Sequence, residues 1–290
     1  MVLAERITIG ITTKDRWGEL AETVGRLIAL GLGDLPIIVV DDGSSEARAE
    51  EICKPLKNCT IVREPVSLGL VEERNRIAQL TKTDYLVSLD DDSCLEAPHN
   101  LDKAVDYMDS HKDVAVLAFW RSFPSDLRTY KNSGKPKPLE PIPVTEYKGC
   151  GHMLRVATFL ELGGYRGYFH YMCEERDYSL RVYGSGKRII LFPDVQVVHR
   201  LTPVARSSTR VSFYGARNTL LCWLLNLPFL CCMWLCTRSA FGQTLAVLRG
   251  RQALRPTVAG ILHSVVVFRE HRVDRRPLSR ASLNRYFALR

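Results

Sequence analysis

The stretch PIIVVDDGS, residues 36–44, decides the fold. Its first five residues are apolar without polar alternation, which is typical of a strand covered on both faces, as in a parallel sheet. A segment with helical periodicity, residues 17–30, comes before it and ends at Gly31, and a β-branched strand pattern covers residues 7–12. Strand, helix and strand within about 30 residues form a βαβ unit.

The same alternation of strand and helix continues after residue 44. Apolar periodicity predicts helices at residues 46–56, 70–80, 97–110, 156–162 and 174–183, and strands at residues 59–63, 84–89, 114–119 and 188–199. Such alternation indicates an α/β fold with a mainly parallel central sheet and helices on both faces. Residues 122–143 are rich in Pro, Ser and Lys and predict a long surface loop, for which a lid is one explanation.

The charge of the chain is unevenly distributed. Its 290 residues are 46% hydrophobic and 25% charged, as in ordinary globular proteins, and carry a net charge of +8. From Leu201 onward there are fourteen arginines, no lysine and two acids, a balance of +12, so the first 200 residues carry −4. A mildly acidic first part suits a bound cation, whereas an Arg-rich last part suits membrane phosphate or nucleic acid.

The last third also contains apolar segments. Residues 220–236 are apolar except for Asn226 and the interrupting Pro228, which makes this run slightly shorter than the about 20 residues that span a bilayer. A re-entrant or interfacial helix fits the broken run better than a span. Residues 256–268 predict a second apolar helix with Arg on both sides. The alternative is a buried pair of C-terminal helices.

Acidic residues follow two of the predicted strands, and more acids open a later helix. Asp41-Asp42-Gly43-Ser44 follows the strand at residues 36–40, and Asp90-Asp91-Asp92 follows the strand at residues 84–89. Because ligands bind beyond the carboxyl ends of the strands in an open α/β sheet, we expect these acids to line a site. A turn with a helix cap is the alternative for Asp41 and Asp42.

The acidic triplet predicts a cation site. Neighbouring side chains in a strand point to opposite faces, so Asp90 and Asp92 can point the same way while Asp91 faces outward. A divalent cation held by one or two carboxylates and completed by phosphate oxygens is how proteins use Mg²⁺. Such a cation acts as a Lewis acid on a leaving diphosphate. The predicted cofactor is therefore Mn²⁺ or Mg²⁺.

Two further acids predict a general base. Glu174 and Glu175 lie in the first turn of a predicted helix, where the helix dipole favours their ionised form. A carboxylate within hydrogen-bond reach can take the proton of an attacking hydroxyl. An exposed helix start is the alternative for this pair.

These motifs in this order resemble glycosyltransferase family 2. The series is DDGS, DDD, GGY at residues 163–165, EERDYSLR at residues 174–181 and a strand that ends at His199. The resemblance covers roughly residues 6–220. It implies an inverting enzyme with a GT-A-type fold that transfers sugar from a nucleotide-diphospho-sugar.

The resemblance also implies a role for individual residues. Nucleotide-sugar binding falls to Thr13, Asp15, Asp41, Asp42, Asn75, Asp90, Asp91 and Gly151. Among these, Asp90 would touch the ribose, and Asp42 with Asp41 would contact the base. Asp92 would ligate the metal with Asp90, and His199 would complete the metal shell or touch the diphosphate. A satisfied structural histidine is the alternative for His199.

Two departures from the family pattern stand out. The usual base of the family is Asp, whereas this chain has Glu175, one methylene longer, with Glu174 as the other candidate. The QxxRW element of processive synthases is absent, and Arg217-Asn218 stands near its place, so we expect one or a few sugars to be added. UDP- or dTDP-linked donors and a glycan or glycolipid acceptor fit this pattern.

The chain is thus expected to have two regions. A GT-A catalytic domain at residues 1–205 combines a nucleotide-binding half, residues 1–120, with an acceptor half, residues 121–205, and residues 206–290 form a helical, membrane-associated extension. Nine cysteines without a CxxC pair predict reduced thiols, and no signal peptide is expected, so the predicted location is the cytoplasmic face of a membrane.

The sequence also bears on three other functions. A nucleotidyltransferase would carry a glycine-rich loop after the first strand, where this chain has TTKDR at residues 12–16. A non-catalytic scaffold that keeps the nucleotide-sugar pocket is compatible with the sequence. Nucleic-acid binding rests only on the Arg-rich tail, and the acidic first part argues against it.

Overall fold

A computed structural model describes most of the chain. The described residues are 3–122, 137–200, 207–250 and 252–289. Most of the surface loop predicted at residues 122–143 therefore lies outside the described residues. All nine cysteines are free thiols.

The chain divides into two compact units, each of which is discontinuous in sequence. The first combines Met1–Gly164 with Lys187–Val204, and the second combines Tyr165–Gly186 with Ala205–Arg290. This division differs from the predicted regions, because the segment that contains Glu174 and Glu175 groups with the C-terminal helices. The boundary predicted at residue 205 stays a prediction.

The first unit contains a mixed sheet with nine strands in its described part. The strands are β1 (Ile7–Thr13), β2 (Ile37–Asp41), β3 (Cys59–Arg63), β4 (Tyr85–Asp90), β5 (Ser93–Leu95), β6 (Val114–Ser122), β7 (Ile142–Pro143), β8 (His152–Arg155) and β9 (Arg188–His199). Their order is β3-β2-β1-β4-β8-β6-β9-β5, and β7 pairs with β9. Strands β3, β2, β1 and β4 are mutually parallel, as predicted, whereas β8 is antiparallel to both of its neighbours.

The described part of the first unit also contains five α-helices. They are α1 (Trp17–Ala29), α2 (Ala49–Cys53), α3 (Leu70–Leu80), α4 (Leu101–Ser110) and α5 (Val156–Glu161). Every residue of β1 and β2 is buried, which explains their unbroken apolar patterns. Gly10 in β1 lets α3 approach closely, because a Cβ there would collide with the Ile77 side chain. The predicted α/β fold is confirmed.

Several elements differ from the predictions in length or kind. Helix α2 is shorter than residues 46–56, and α4 begins at Leu101 instead of residue 97. The strand predicted at residues 188–199 contains a bulge, because Phe119 pairs with Phe192 whereas Trp120 pairs with Gln196. Strands β5 and β8 were not predicted, since three or four residues give too little periodicity.

The second unit is helical. Its helices are α6 (Glu174–Gly184), α7 (Ser208–Asn226), α8 (Phe229–Leu248), α9 (Leu254–Glu270) and α10 (Arg280–Ala288). Helices α7 and α9 pack closely at Gly260, where a Cβ would collide with the carbonyl oxygen of Phe213.

The apolar run at residues 220–236 divides at Pro228, as predicted, and its two segments have different surroundings. Leu220, Leu221 and Leu225 are buried in α7, and the helix ends before Pro228, which cannot donate a backbone hydrogen bond. The run resumes in α8 with exposed apolar residues such as Leu230. In the part of the chain that the structure describes, no helix has both the length and the apolar character needed to cross a membrane.

Candidate active site

The loops after β1 and β2 are tied to each other. Asp15 has a positive φ of 52°, and its carboxylate accepts hydrogen bonds from the backbone N–H and the hydroxyl of Ser45, each at 2.8 Å. These bonds lower the pKa of Asp15. In return, the backbone N–H of Asp15 donates to the Ser44 hydroxyl at 2.8 Å. The two loops therefore form one preformed edge beyond the carboxyl ends of the strands.

The carboxylates of Asp41 and Asp42 are buried and bonded to nearby loops. Asp41 accepts from the N–H of Ser44 at 3.0 Å, and its other oxygen lies 3.4 Å from Arg63 Nε. Asp42 accepts from the N–H groups of Leu68 and Gly69 at 2.7 and 3.0 Å. Both acids thus shape the loops of this edge, whatever ligand they contact.

A third buried acid, Glu73, faces Asp42. Glu73 lies in the first turn of α3 and is fully buried. Burial, and then the negative charge of Asp42, raise the pKa of Glu73 to about 8. At neutral pH the Glu73 carboxyl is therefore mainly protonated, which relieves the repulsion between the two acids.

The structure brings together three of the residues predicted to bind metal. Asp90 ends β4, Asp92 follows in the turn to β5, and His199 ends β9. One possible ligand atom from each of these three lies within 4.8 Å of the other two. His199 pairs with Ser93 in the antiparallel ladder of β5 and β9, which fixes the imidazole beside the acidic turn.

Arginines contact all three acids of the triplet. The two terminal nitrogens of Arg16 lie 2.6 Å from a carboxylate oxygen of Asp91 and 2.8 Å from one of Asp92. Arg74 donates to Asp90 at 2.7 Å. The expectation that Asp91 faces outward is wrong, since Asp91 is buried and also accepts from the Thr13 hydroxyl at 2.9 Å. Asp91 and Asp92 lie in a turn after β4, where strand alternation no longer applies.

The electrostatics of the triplet separate Asp91 from Asp92. Burial raises the pKa of Asp91 to about 7, although the charge of Arg16 opposes the change. Burial would also raise the pKa of Asp92, but hydrogen bonds from His199 and Arg16 outweigh it and lower that pKa. Asp92 Oδ1 lies 3.1 Å from His199 Nε2. Burial lowers the pKa of His199, but Asp92 and the Cys150 side chain outweigh burial and raise this pKa to about 9. Of these two acids, Asp92 is the one held in its ionised form.

Arg200 also holds the turn that contains Asp91 and Asp92. Its backbone N–H donates to the carbonyl of Asp92 at 2.9 Å, and its guanidinium donates to the carbonyl of Asp91 at 2.9 Å. The guanidinium also contacts Glu19 in α1 at 3.1 Å. Arg200 therefore ties the acidic turn to α1.

Asn75 and Gly151 both lie in closely packed surroundings. A Cβ on Gly164 would come within 2.8 Å of the Asn75 side-chain oxygen, so Asn75 packs against the turn after α5. A Cβ on Gly151 would lie 2.7 Å from the Val197 side chain in β9. The next residue, His152, is buried, and burial followed by the charge of Arg74 lowers its pKa to about 3.

Glu174 and Glu175 open α6 in the second unit. Glu174 is buried, whereas Glu175 is half-buried. The turn before them is unusual, because His170, Met172 and Cys173 all have positive φ, at 56°, 69° and 69°. Residues other than glycine rarely adopt this conformation, so the surrounding structure must hold the turn in place.

Two buried residues of α7 hold that turn. The Asn218 amide donates to the carbonyls of Phe169, Tyr171 and Met172 at 2.7–2.8 Å. The Arg217 guanidinium donates to the carbonyl of Phe169 at 3.1 Å and to the side-chain oxygen of Asn218 at 2.7 Å. Arg217-Asn218 therefore fixes the backbone that leads into the two glutamates.

The arginine side chains of the site were not predicted from the sequence. Arg16, Arg74 and Arg200 each contact the acidic turn, and none was predicted as a site residue. Two signals were present: Arg16 follows Thr13 and Asp15 in the same loop, and Arg200 follows His199 directly.

The chain belongs to glycosyltransferase family 2. The sequence profile of that family, described as "Glycosyl transferase family 2", matches residues 8–176, which is more than half of the chain. The match includes the loops after β1 and β2, the acidic triplet and the start of α6.

One curated relative is an uncharacterised glycosyltransferase of Methanocaldococcus jannaschii. It is 27% identical over 108 residues, which cover 36% of this chain and 37% of the relative. The chain thus matches little more than a third of the length of that relative.

Solved structures of glycosyltransferases share the fold. GalNAc-T7 with UDP, GalNAc and Mn²⁺ has a TM-score of 0.59 at 15% identity, covering 76% of this chain and 51% of that chain. The mannosyltransferase PcManGT of Pyrobaculum calidifontis, with GDP-Man and Mn²⁺, has a TM-score of 0.59 at 14% identity, covering 98% and 86%. S. aureus TarS 1-349 with UDP-GlcNAc has a TM-score of 0.61 at 13% identity, covering 89% and 79%. The fold is thus of GT-A type, as the sequence predicts.

Proposed function

We propose that this chain is a metal-dependent, inverting glycosyltransferase that moves one sugar from a nucleotide-diphospho-sugar to an acceptor hydroxyl. The observation that carries the proposal is the convergence of Asp90, Asp92 and His199, whose ligand atoms lie within 4.8 Å of one another. They stand beyond the carboxyl ends of the strands, where open α/β sheets bind ligands. Membership of glycosyltransferase family 2 supports the same reaction.

The side chains present fit Mn²⁺ or Mg²⁺. Two carboxylates and one imidazole form a suitable partial ligand set, and Asp92 is held ionised. His199 would have to release its proton to the solvent to ligate the cation, because its pKa without metal is about 9. A divalent cation bound there would stabilise the negative charge that builds up on the leaving diphosphate. Arg16 contacts Asp91 and Asp92 at the same turn, and we propose that it keeps these carboxylates in place for the cation.

We assign the nucleotide to the tied loops beyond the strands. The proposed contacts come from Thr13, Asp15, Asp41, Asp42, Asn75, Asp90, Asp91 and Gly151. The hydrogen bonds among these loops support a preformed pocket, which reduces the entropy lost when the nucleotide binds. Gly151, held against Val197, would border the donor sugar.

We assign the general base to Glu175, with Glu174 as the alternative. The base removes the proton of the acceptor hydroxyl as its oxygen attacks the anomeric carbon. Glu175 is half-buried and can meet an acceptor, whereas Glu174 is buried, and this difference supports Glu175. Both residues lie in the first turn of α6, where the helix dipole favours the carboxylate.

The acceptor that we propose is a membrane-borne or lipid-linked glycan at a cytoplasmic membrane face. The charge of +12 after residue 200 supports this assignment, because anionic headgroups attract arginine. The absence of the QxxRW element from the sequence supports the transfer of one or a few sugars.

A thermal-shift panel tests the proposed donor class. UDP, dTDP and GDP sugars are each added to the full chain with Mn²⁺, with Mg²⁺ or with EDTA. A ligand that binds only the folded chain raises the unfolding temperature by mass action. We expect a UDP- or dTDP-sugar to raise it only when metal is present. No shift with any donor and metal would contradict the proposal.

A further inference from the structure

Exposed apolar side chains are concentrated in the C-terminal helices. In the part of the chain that the structure describes, nineteen large hydrophobic side chains are exposed, and thirteen of them lie between residues 229 and 289. Single exposed apolar residues are normal on a soluble protein, but a contiguous group marks an interaction surface.

Helix α8 has one continuous exposed apolar stripe. Leu230, Trp234, Phe241 and Leu248 are 80%, 59%, 71% and 78% exposed. At about 100° per residue, these four positions fall within about 40° of one another around the helix axis. The twenty-residue helix is about 30 Å long, so the stripe runs along most of one side.

The opposite side of α8 packs against the protein. Cys232 and Leu235 are buried, and the indole N–H of Trp223 in α7 donates to the Ser239 hydroxyl at 3.1 Å. These contacts fix the rotation of α8 about its own axis. A helix with one side on protein and an apolar stripe on the other suits a position in the plane of a lipid surface.

Helix α9 also has an exposed apolar stripe. Leu254, Val258, Leu262 and Val265 are exposed and fall on one side of the helix. Gly260 lies on the other side, packed against α7. The unit therefore presents two apolar stripes, each on a helix that α7 holds.

Arginines accompany both stripes. Arg238, Arg249, Arg255 and Arg269 are exposed, and within the described residues none of them forms a salt bridge. Arg238 lies over the Trp234 ring at 5.6 Å, which places a cation beside an aromatic anchor. Tryptophan and arginine together are typical of side chains at the headgroup level of a membrane.

We propose that α8 and α9 form a docking surface for an anionic lipid bilayer. The apolar stripes enter the boundary between headgroups and acyl chains, and the arginines bind lipid phosphates. Charge selects this occupant over a second copy of the chain, because two such surfaces would bring arginine against arginine. The inference deepens the proposed function, since it names the surface through which the enzyme would reach a membrane-borne acceptor.

Vesicle flotation tests the docking surface. The full chain, without donor or metal, is mixed with vesicles of phosphatidylcholine alone or with 30% phosphatidylglycerol. We expect the anionic vesicles to bind at least about tenfold more chain, since each arginine near the surface strengthens binding several-fold. Trp234→Gln with Phe241→Gln should lower binding at least about tenfold, and Arg238→Glu with Arg249→Glu should lower it similarly.

Matched controls come from the first unit. Ile28→Gln with Leu160→Gln replaces two exposed apolar helix residues, and Lys54→Glu with Lys82→Glu reverses two exposed charges. Both controls should bind vesicles like the wild type. All variants are checked for an unchanged unfolding temperature, because the replaced side chains are exposed.

Three results would overturn the docking surface. They are equal binding to both kinds of vesicle, α8 variants that bind like the controls, and self-association in light scattering without vesicle binding. Failure of the proposed function is a separate result, because vesicle binding requires no sugar transfer. A chain that floats with vesicles but binds no nucleotide-sugar would contradict the transferase assignment alone.

Discussion

The acidic edge of the first unit and the C-terminal helices use charge in opposite ways. The acidic edge consists of Asp90, Asp91 and Asp92 together with the loop that holds Asp41 and Asp42. Asp90, Asp91 and Asp92 each contact an arginine at 2.6–2.8 Å, so the charges of this edge are balanced within the unit. The exposed arginines of α8 and α9 form no salt bridge within the described residues. Buried carboxylates need partners close by, whereas exposed unpaired cations are available to an external polyanion. The difference is consistent with the two proposals, that the first region holds a ligand and that the second meets a lipid surface.

The largest expected effect concerns Glu175, the proposed base, which lies in the second unit. If Glu175 acts as the base, the second unit takes part in catalysis as well as in membrane docking. Glu175→Gln removes the proposed base while keeping the size of the side chain. We expect turnover to fall by about 10²–10⁴-fold with little change in donor affinity, which is the usual effect of losing a positioned base. Steady-state kinetics and donor titration measure the two quantities separately.

The neighbouring glutamate is the matched control for that experiment. Glu174→Gln should leave most of the turnover intact, provided that the variant unfolds at the wild-type temperature. If Glu174→Gln is crippled while Glu175→Gln is active, the assignment of the base is wrong.

Asn218 tests whether buried polar groups in the second unit need hydrogen-bond partners, as the buried carboxylates of the acidic edge do. Asn218→Ala leaves the carbonyls of Phe169, Tyr171 and Met172 without their amide donor. We expect the free energy of unfolding to fall by about 2–4 kcal/mol, since buried groups without partners are costly. Urea unfolding measures the loss, and Asn284→Ala, at an exposed position in α10, is the control. Equal values for the two variants would refute the role given to Asn218.

Glu73 tests whether the buried acids of the acidic edge are neutralised within the protein. Its buried carboxyl is neutralised by a bound proton. Its pKa in the folded chain, about 8, lies above the ordinary value of 4.5. The stability that it contributes is therefore complete below pH 4.5 and is lost as the pH rises through 8. Glu73→Gln stays neutral, so its stability relative to the wild type should rise by about 1–3 kcal/mol between pH 5 and 8.5.

The measurement is urea unfolding at a series of pH values. Glu72→Gln, at the exposed neighbouring position, is the control and should follow the wild type at every pH. If the free energy of unfolding of Glu73→Gln changed with pH in parallel with that of the wild type, Glu73 would be ionised in the folded chain.

The sequence predicts local structure far better than long-range pairing. The βαβ units from β1 to β4 follow from periodicity, because each strand or helix shows its pattern within a dozen residues. The arginine contacts were not predictable in the same way, since Arg16 and Asp91 are 75 residues apart. The outward position expected for Asp91 was wrong because strand alternation was extended into a turn.

The apolar run at residues 220–236 also shows that long-range packing could not be predicted from the local sequence. Its composition is nearly uniform, yet Leu225 is buried in α7 whereas Leu230 is exposed on α8. Composition sets how apolar a segment is, but packing partners decide which half is covered. Pro228 marked the break in the sequence, and only the structure separates the surroundings of the two halves.

Metal-dependent nucleotide binding at the acidic edge is the central claim, and calorimetric titration of UDP and dTDP tests it most directly. The nucleotides are titrated into the wild type, into Asp92→Asn and into the exposed control Asp102→Asn, each with Mn²⁺ or with EDTA. We predict that the wild type and Asp102→Asn bind at least one nucleotide with Mn²⁺ and at least about tenfold more weakly with EDTA, because even residues that only support metal ligands change affinity 10–100-fold. Asp92→Asn should bind weakly in both conditions. Equal affinity with Mn²⁺ and EDTA, or wild-type affinity in Asp92→Asn, would contradict the account.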